Sequence, residues 1–312
     1  MTLASLGVQK MAAFLALTFL ALAAAPRALA DLTTHGFYYS NGQYTTVDYP
    51  GSVDNTTNGI NNNGIAVGSY LAQINYYGYY WASGVFTSIN YPGSTLTWAS
   101  GVNSNAVVGW YNTNTSHGYA YSFKNGFTTL DYPGADRTNL YGINEQGTIV
   151  GSEATGTQTD GVIYSQGKFS TLSLPGSSAT QLFGINNQGQ IVGDAAGGQI
   201  CGYDCTFLYS DGQFQLLQFP GATVTLAAGI NNLGEVVGSY TDYQNTNHGF
   251  IYFDGKYMSV DFPGAIDTSL SGINDSGQYV GWYYGTTVPE PSSLLLLSSA
   301  GGMFALFRRR LG

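Results

Sequence analysis

Histidine and aspartate side chains at repeated positions are the groups in this sequence that could do acid–base or metal chemistry. The chain has three histidines, which occupy equivalent positions in copies of one repeated unit: His35, His117 and His248. The other three copies have different residues there: Tyr77, Asp160 and Cys205. Histidines that met at a pore mouth could bind a metal or transfer protons. Units arranged around a ring would keep them apart, so we interpret each histidine as beginning a strand and bonding locally.

Three aspartates precede Pro-Gly pairs, and the other copies have Asn, Ser or Gln at this position: Asp48, Asp131 and Asp261. Glycoside hydrolysis needs two carboxyl groups about 5 to 9 Å apart. Because the three aspartates lie in different units, we do not expect two of them to approach this closely. Polar side chains that cap a turn explain their recurrence. The sequence contains no calcium loop, nucleophile elbow, phosphate loop or zinc-binding histidine pair. We predict no catalytic residue, no metal site and no cofactor.

The two cysteines, Cys201 and Cys205, lie in the segment CGYDC, within the longest connection between strands. An exported protein meets an oxidising environment, which favours a disulfide between them. A metal site would need more ligands than the nearby Asp194 and Asp204 supply. We predict a structural disulfide.

These residues belong to six copies of a unit of about 42 residues. The Pro-Gly pairs recur with spacings of 41 to 45 residues and begin at Pro50, Pro92, Pro133, Pro175, Pro220 and Pro263. A Gly-Ile/Val-Asn motif follows with the same spacings and begins at Gly59, Gly101, Gly142, Gly184, Gly229 and Gly272. A Val-Gly pair ends each unit. A fixed period of this length is typical of repeat architectures.

The third unit predicts four short strands, at 117–123, 127–132, 138–143 and 148–152. The turns between them carry Gly126, Gly134 and Gly147, which can adopt positive φ at little cost. Four strands in about 42 residues is the period of a propeller blade. The fold class is therefore all-β, six four-stranded repeats forming a six-bladed β-propeller, with an open β-solenoid as the alternative. We interpret the motif asparagines as scaffold and place the Val-Gly glycines at a close strand approach near the ring axis.

The units resemble the HAF-type extracellular repeats. The last unit carries the resemblance in its His248 to Tyr252 segment, in Gly272 to Gln278 and in Val280-Gly281. The resemblance implies an exported, repetitive surface protein and no known reaction.

Charge excludes one class of partner. Residues 31–287 contain four basic and 17 acidic residues, a net charge of −13. A nucleic acid requires a basic surface, so the sequence excludes nucleic-acid binding.

Both ends of the chain look like targeting segments. Residues 1–30 have the basic residue, apolar run and A-x-A site of a signal peptide. Near the other end, Val288, Pro289, Glu290 and Pro291 precede an apolar stretch and the cluster Arg308, Arg309 and Arg310. This order resembles the PEP-CTERM sorting signal of Gram-negative bacteria. An ordinary tail anchor is the alternative.

That resemblance implies a transient inner-membrane anchor, processing by an exosortase-type enzyme, and a final location at the outer surface or in the extracellular matrix. The positive-inside rule likewise leaves residues 31–287 outside the cytoplasm. We therefore divide the chain into a signal peptide (1–30), a six-repeat domain (31–287) and a sorting segment (288–312).

In an up-and-down meander the Pro-Gly turns and the connections between units share one edge, and variable loops on a rigid scaffold often bind ligands. The connections are rich in aromatic and amide residues: Tyr76, Tyr77, Tyr111, Asn112, Asn114, Tyr240, Tyr243 and Asn245. Rings beside uncharged polar groups suit a sugar chain. We predict a non-enzymatic matrix protein that recognises exopolysaccharide there. The alternatives are an adhesive protein that binds other proteins or its own copies, and a propeller glycoside hydrolase or lyase.

Overall fold

A computed structural model describes residues 32–197 and 204–286. The strands of the first three units are β1 (Thr33–Ser40), β2 (Gln43–Thr46), β3 (Asp54–Ile60), β4 (Ala66–Ala72), β5 (Asn75–Ala82), β6 (Val85–Ile89), β7 (Leu96–Val102), β8 (Ala106–Asn112), β9 (Ser116–Ser122), β10 (Gly126–Thr129), β11 (Arg137–Ile143) and β12 (Ile149–Thr155). Those of the last three are β13 (Gln158–Ser165), β14 (Lys168–Thr171), β15 (Ala179–Ile185), β16 (Ile191–Ala196), β17 (Asp204–Ser210), β18 (Gln213–Leu217), β19 (Val224–Ile230), β20 (Val236–Thr241), β21 (Asn247–Phe253), β22 (Lys256–Val260), β23 (Asp267–Ile273) and β24 (Tyr279–Gly285).

The strands form six antiparallel blades of four strands, which confirms the predicted all-β propeller. Blades 1 to 5 are β3–β6, β7–β10, β11–β14, β15–β18 and β19–β22. Blade 6 joins the two ends of the repeat domain in the order β2-β1-β24-β23. Each sequence unit therefore contributes its first two strands to one blade and its last two to the next, so the predicted units are two strands out of phase with the blades.

The Gly-Ile/Val-Asn motif closes the ring. In every blade the motif asparagine donates a hydrogen bond from Nδ2 to the carbonyl oxygen of the motif asparagine in the next blade, at 2.8 to 3.1 Å. The last of these bonds joins Asn274 to Asn61, which connects blade 6 to blade 1. An open solenoid could not form this bond, so the alternative fold is wrong.

Two sets of glycines allow close packing, one between blades and one between strands of the same blade, and the predicted axial position of the second set is wrong. The glycines of the Gly-Ile/Val-Asn motif lie at the axis: a Cβ on Gly142 would be 2.6 Å from the carbonyl oxygen of Phe183 and 3.2 Å from Cα of Gly184. The Val-Gly glycines lie one strand farther out. A Cβ on Gly109 would overlap the carbonyl oxygen of Trp98 in its own blade. Close approach was predicted correctly, but the axial position belongs to the other motif.

Two edges of the ring result. The asparagine turns lie at one edge, and the Pro-Gly turns lie with the connections between units at the other, which we call the Pro-Gly edge. Hydrogen bonds such as Asp136 N to Ala154 O and Thr95 N to Asn112 O hold these two kinds of loop together. The core consists of clusters between neighbouring blades, with Leu140, Leu182 and Leu270 fully buried.

Candidate functional site

The histidines and aspartates singled out by the sequence form three separate pairs. His35 Nδ1 lies 2.6 Å from Asp48 Oδ2, His117 Nδ1 2.8 Å from Asp131 Oδ2, and His248 Nδ1 3.0 Å from Asp261 Oδ2. Each pair joins a strand to the loop that follows the adjacent strand of the same blade, and the three pairs lie in three blades.

The local bonding predicted for the histidines is therefore correct, whereas the cap predicted for the aspartates is not. The backbone NH after each aspartate is bound by the side chain six residues later, as in Tyr132 N to Thr138 Oγ1 at 3.0 Å. Each aspartate instead binds the histidine, and Asp48 and Asp131 also accept a hydrogen bond from a strand NH, as in Gly118 N to Asp131 Oδ1 at 3.0 Å.

The polar–aromatic residues predicted as a ligand surface have different environments. Tyr76 and Tyr77 lie in β5, Tyr111 and Asn112 in β8, and Tyr240 in β20, while Asn114, Tyr243 and Asn245 lie in turns. Asn114 and Asn245 are exposed, and Tyr243 is 82% exposed.

Tyr111 packs inside the protein, and Tyr240 is partly buried against a core cluster, which corrects their predicted role. Tyr111 is 6% exposed and stacks on Tyr91 with ring centroids 3.5 Å apart. Tyr240 stacks on Phe219 at 3.6 Å. Each stack joins a strand to the Pro-Gly connection that leads into its blade, so the stacked face of each ring is not free to hold a ligand. Tyr77 similarly packs near Tyr70, at 5.5 Å.

The cysteine and sorting-signal predictions fall partly or wholly outside the described residues. Cys205 is disulfide-bonded, and there is no free cysteine in the described part of the chain. Cys201 lies outside it, as do Val288, Pro289, Glu290, Pro291, Arg308, Arg309 and Arg310. Within 32–197 and 204–286, no three His, Cys, Asp or Glu side chains are grouped closely enough to hold a metal ion. The same residues contain no helix long and apolar enough to cross a membrane.

A band of residues runs along the Pro-Gly edge of blades 1 to 4, and of its members the sequence had suggested only Tyr76 as a ligand contact. It begins with three partly exposed aromatic side chains. Tyr76 and Trp98 have ring centroids 5.5 Å apart, and Trp98 and Trp110 stack at 6.1 Å with an interplanar angle of 18°. Trp98 lies on β7 and is paired with Trp110 on β8. We call these three residues the aromatic group.

The next part of the band is a polar cavity of about 230 Å³ between blades 3 and 4. Its lining comprises Arg137, Asn139, Ser152, Glu153, Ala154, Thr159 and Gln181, and we call it the Arg137 cavity. Register places Arg137 opposite Ala154 and Asn139 opposite Ser152, so these four side chains share a face. Alternation puts the Glu153 side chain on the opposite face, where Oε2 accepts a 2.8 Å hydrogen bond from Thr155 Oγ1.

The cavity adjoins the aromatic group because their strands are neighbours around the axis. Trp98, Asn139 and Gln181 occupy equivalent positions on β7, β11 and β15, as do their cross-strand partners Trp110, Ser152 and Asp194. Tyr141 connects the cavity residues: its OH donates to Gln181 Oε1 at 3.2 Å and accepts from Asn139 Nδ2 at 3.3 Å. The band thus runs from aromatic to polar to acidic.

Asp194 forms the acidic end. Burial, with a smaller contribution from the like charge of Asp204, raises the pKa of Asp194 to about 6. Because the folded protein binds this proton more tightly than the unfolded chain, the Asp194 contribution to stability is full below pH 3.8 and is lost as the pH rises through 6.

We therefore expect Asp194→Asn to raise the free energy of unfolding by about 1 to 2 kcal/mol at pH 7.5 and to leave it unchanged near pH 3.5. Thermal or urea unfolding between pH 3.5 and 8 measures the difference. Asp254→Asn, in an exposed turn, is the control and should show no such pH-dependent gain. An equal gain in the free energy of unfolding at all pH values would contradict a raised pKa of Asp194.

Comparison with known proteins identifies one segment and the fold. Residues 287–310 match the PEP-CTERM protein-sorting motif. The motif implies export and a membrane-anchored C-terminus in a Gram-negative bacterium. It does not test the HAF-type resemblance. No curated protein sequence matches the chain.

Among solved structures, a protein assigned as TolB from Agrobacterium tumefaciens is similar with a TM-score of 0.59 and 10% identity, covering 82% of this chain and 100% of that one. TolB from Acinetobacter baumannii is similar with a TM-score of 0.54 and 10% identity, covering 81% of this chain and 64% of that one. AofleA from Arthrobotrys oligospora is similar with a TM-score of 0.51 and 15% identity, covering 82% of this chain and 84% of that one. At these identities the similarity concerns the fold alone.

Proposed function

We propose that this protein is an exported, non-enzymatic propeller that binds polysaccharide of the extracellular matrix through the band on its Pro-Gly edge. The observation that supports this most is a pair of stacked indoles, Trp98 and Trp110, on strands that neighbour those of a cavity lined by amide, hydroxyl and guanidinium groups. Aromatic faces pack against the apolar faces of sugar rings, while polar groups bind their hydroxyls. The sorting motif supports delivery to the surface, where such polymers occur.

We expect Trp98→Ala to weaken binding to the recognised polysaccharide about tenfold, since one stacking contact of about 1.4 kcal/mol is lost. Glycan arrays followed by titration of the purified repeat domain, residues 31–287, measure this. Trp98→Phe should recover part of the affinity. Tyr243→Ala is the matched control, because Tyr243 is an exposed aromatic residue on the same edge outside the band.

Two results would contradict the proposal. One is the absence of binding to any matrix polymer, and the other is a greater loss in Tyr243→Ala than in Trp98→Ala. Thermal unfolding of each variant shows whether a loss comes from the site or from the fold.

A second candidate function, adhesion to another protein or to a second copy, is favoured by apolar residues elsewhere on the Pro-Gly edge. Val53, Ile74 and Ile266 on blades 1 and 6 are 54%, 88% and 50% exposed. Exposed apolar residues of this kind mark protein interfaces when they are contiguous. A monomer that binds no cells or proteins would count against adhesion. The hydrolase alternative requires turnover of a polysaccharide that is abolished by changing Asp131 or Asp261.

A further inference from the structure

The Arg137 cavity exists because small or polar residues replace large ones at equivalent positions of the repeat. Between blades 1 and 2, these positions hold Leu71, Tyr76 and Trp98. Between blades 3 and 4 they hold Ala154, Thr159 and Gln181. The first junction is filled by packed side chains, with Tyr76 against Trp98, whereas the second leaves about 230 Å³ open. One junction of the ring is therefore shaped for a small ligand.

One cation, the exposed Arg137, lines this cavity and forms no ion pair with a described residue. Every ion pair in the described part of the chain involves a histidine. Arg137 therefore has no carboxylate partner, although acidic residues greatly outnumber basic ones in the domain. A guanidinium group without a carboxylate partner can bind a carboxylate through two parallel N–H donors.

Asn139 adds a second requirement. Its Oδ1 is buried and has no hydrogen-bond donor, a condition that costs about 1 to 3 kcal/mol and that a bound group relieves. A ligand hydroxyl can supply the missing donor after a small rotation of the amide. The Thr159 hydroxyl, on the same face, can donate or accept, and the Ser152 hydroxyl, which donates to Tyr141, can accept. The cavity thus calls for an anionic group next to hydroxyl groups.

We propose that the Arg137 cavity is the subsite for a sugar ring that carries a carboxylate, that is, a uronic acid residue. The carboxylate pairs with Arg137, and a neighbouring hydroxyl binds Asn139. The volume suits one ring, because pockets for larger organic ligands measure about 300 to 1,000 Å³. This inference rests on the proposed function and specifies its ligand.

Charge limits the kind of polymer. A net charge of −13 from four basic and 17 acidic residues in 31–287 repels a densely anionic chain. The matching polymer has isolated or terminal uronate residues among neutral sugars, which stack on the adjacent aromatic group.

Titration of the repeat domain with two oligosaccharides of equal length, one with a terminal glucuronate or galacturonate and one neutral, tests the proposal. We expect the uronate form to bind about tenfold more tightly, and Arg137→Gln to abolish that difference. Arg137→Lys should keep part of it, and Asn139→Asp should reverse it by adding a negative charge. Lys168→Gln, which removes a cation from β14 outside the cavity, is the matched control.

Equal affinity for the two oligosaccharides, or a preference that survives in Arg137→Gln, would overturn the uronate assignment while leaving polysaccharide binding intact. Binding of neither oligosaccharide nor any matrix polymer would overturn both. Thermal unfolding of each variant separates a local loss from a folding defect, and Arg137→Lys keeps the test decisive if Arg137→Gln unfolds.

Discussion

Replacing Gly109 by alanine is expected to destabilise the protein by about 4 kcal/mol or more. The added Cβ would overlap the carbonyl oxygen of Trp98 and would lie 2.9 Å from the hydroxyl oxygen of Tyr119. Neither group can move easily: Trp98 belongs to the innermost strand of blade 2, and Tyr119 is fully buried. The strand pair β7–β8 would have to separate, so we expect loss of cooperative unfolding or insoluble protein.

Gly126→Ala is the matched control for this prediction. Gly126 adopts φ of +79° at the start of β10, directly after a turn, where a new Cβ has no neighbour within 4 Å. Only the conformational cost of about 1 kcal/mol applies there. Urea unfolding of the two variants gives the comparison. Similar losses in both would show that the Val-Gly glycine has a conformational role and not a steric one.

Replacing Asn186 by alanine is expected to destabilise the protein by about 3 kcal/mol. Asn186 is 3% exposed, and its Nδ2 donates to Asn231 O at 3.0 Å and to Gln190 Oε1 at 2.7 Å. Its Oδ1 accepts from the backbone NH groups of Gln188 and Gln190. Truncation leaves several buried groups without partners and breaks the asparagine ring between blades 4 and 5.

Asn186→Asp separates the two roles of this side chain. An aspartate keeps the acceptor for the turn NH groups but places a negative charge against the carbonyl oxygen of Asn231. We expect it to be nearly as unstable as the alanine variant at pH 7 and less so when protonated at pH 4. Asn114→Ala, in an exposed turn, is the control and should change stability by less than about 0.5 kcal/mol. If Asn186→Asp were as stable as the native protein at pH 7, the bond between blades would be unimportant.

The fold could be predicted because the turns of this protein have stereochemical requirements visible in the sequence. Gly134 and Gly147 adopt φ of +86° and +78°, and each stands where a turn was predicted. The phase of the blades could not be predicted, because a repeat shows its period and not its starting strand. Pairing of β1 with β24 decides the phase, and contacts between the chain ends leave no trace in a periodic pattern.

The site was harder to predict for a related reason. The pairing of His117 with Asp131 was accessible, because both residue types occur together in the first, third and sixth units and are absent together from the others. The band could not be predicted in the same way, because the repeat positions of Trp98, Arg137 and Gln181 hold different residue types in different units. These residues also lie in strands, whereas we expected the loops to bind the ligand. Register alone brings them to one edge.

Blade 6 contains the first and the last strands of the domain, and this has a consequence for how the protein matures. Tyr44 and Tyr279, whose hydroxyl oxygens lie 3.1 Å apart, are separated by 235 positions in the chain. A chain that emerges from its N-terminus can assemble blades 1 to 5 in order but cannot complete the ring until β24 has emerged. Thr33 pairs with Gly285 at the end of that strand, and the sorting motif begins at residue 287. Proteolytic maturation therefore has an upstream limit: a cut that leaves Gly285 in place preserves the ring, whereas a cut within β24 would remove the strand that closes it.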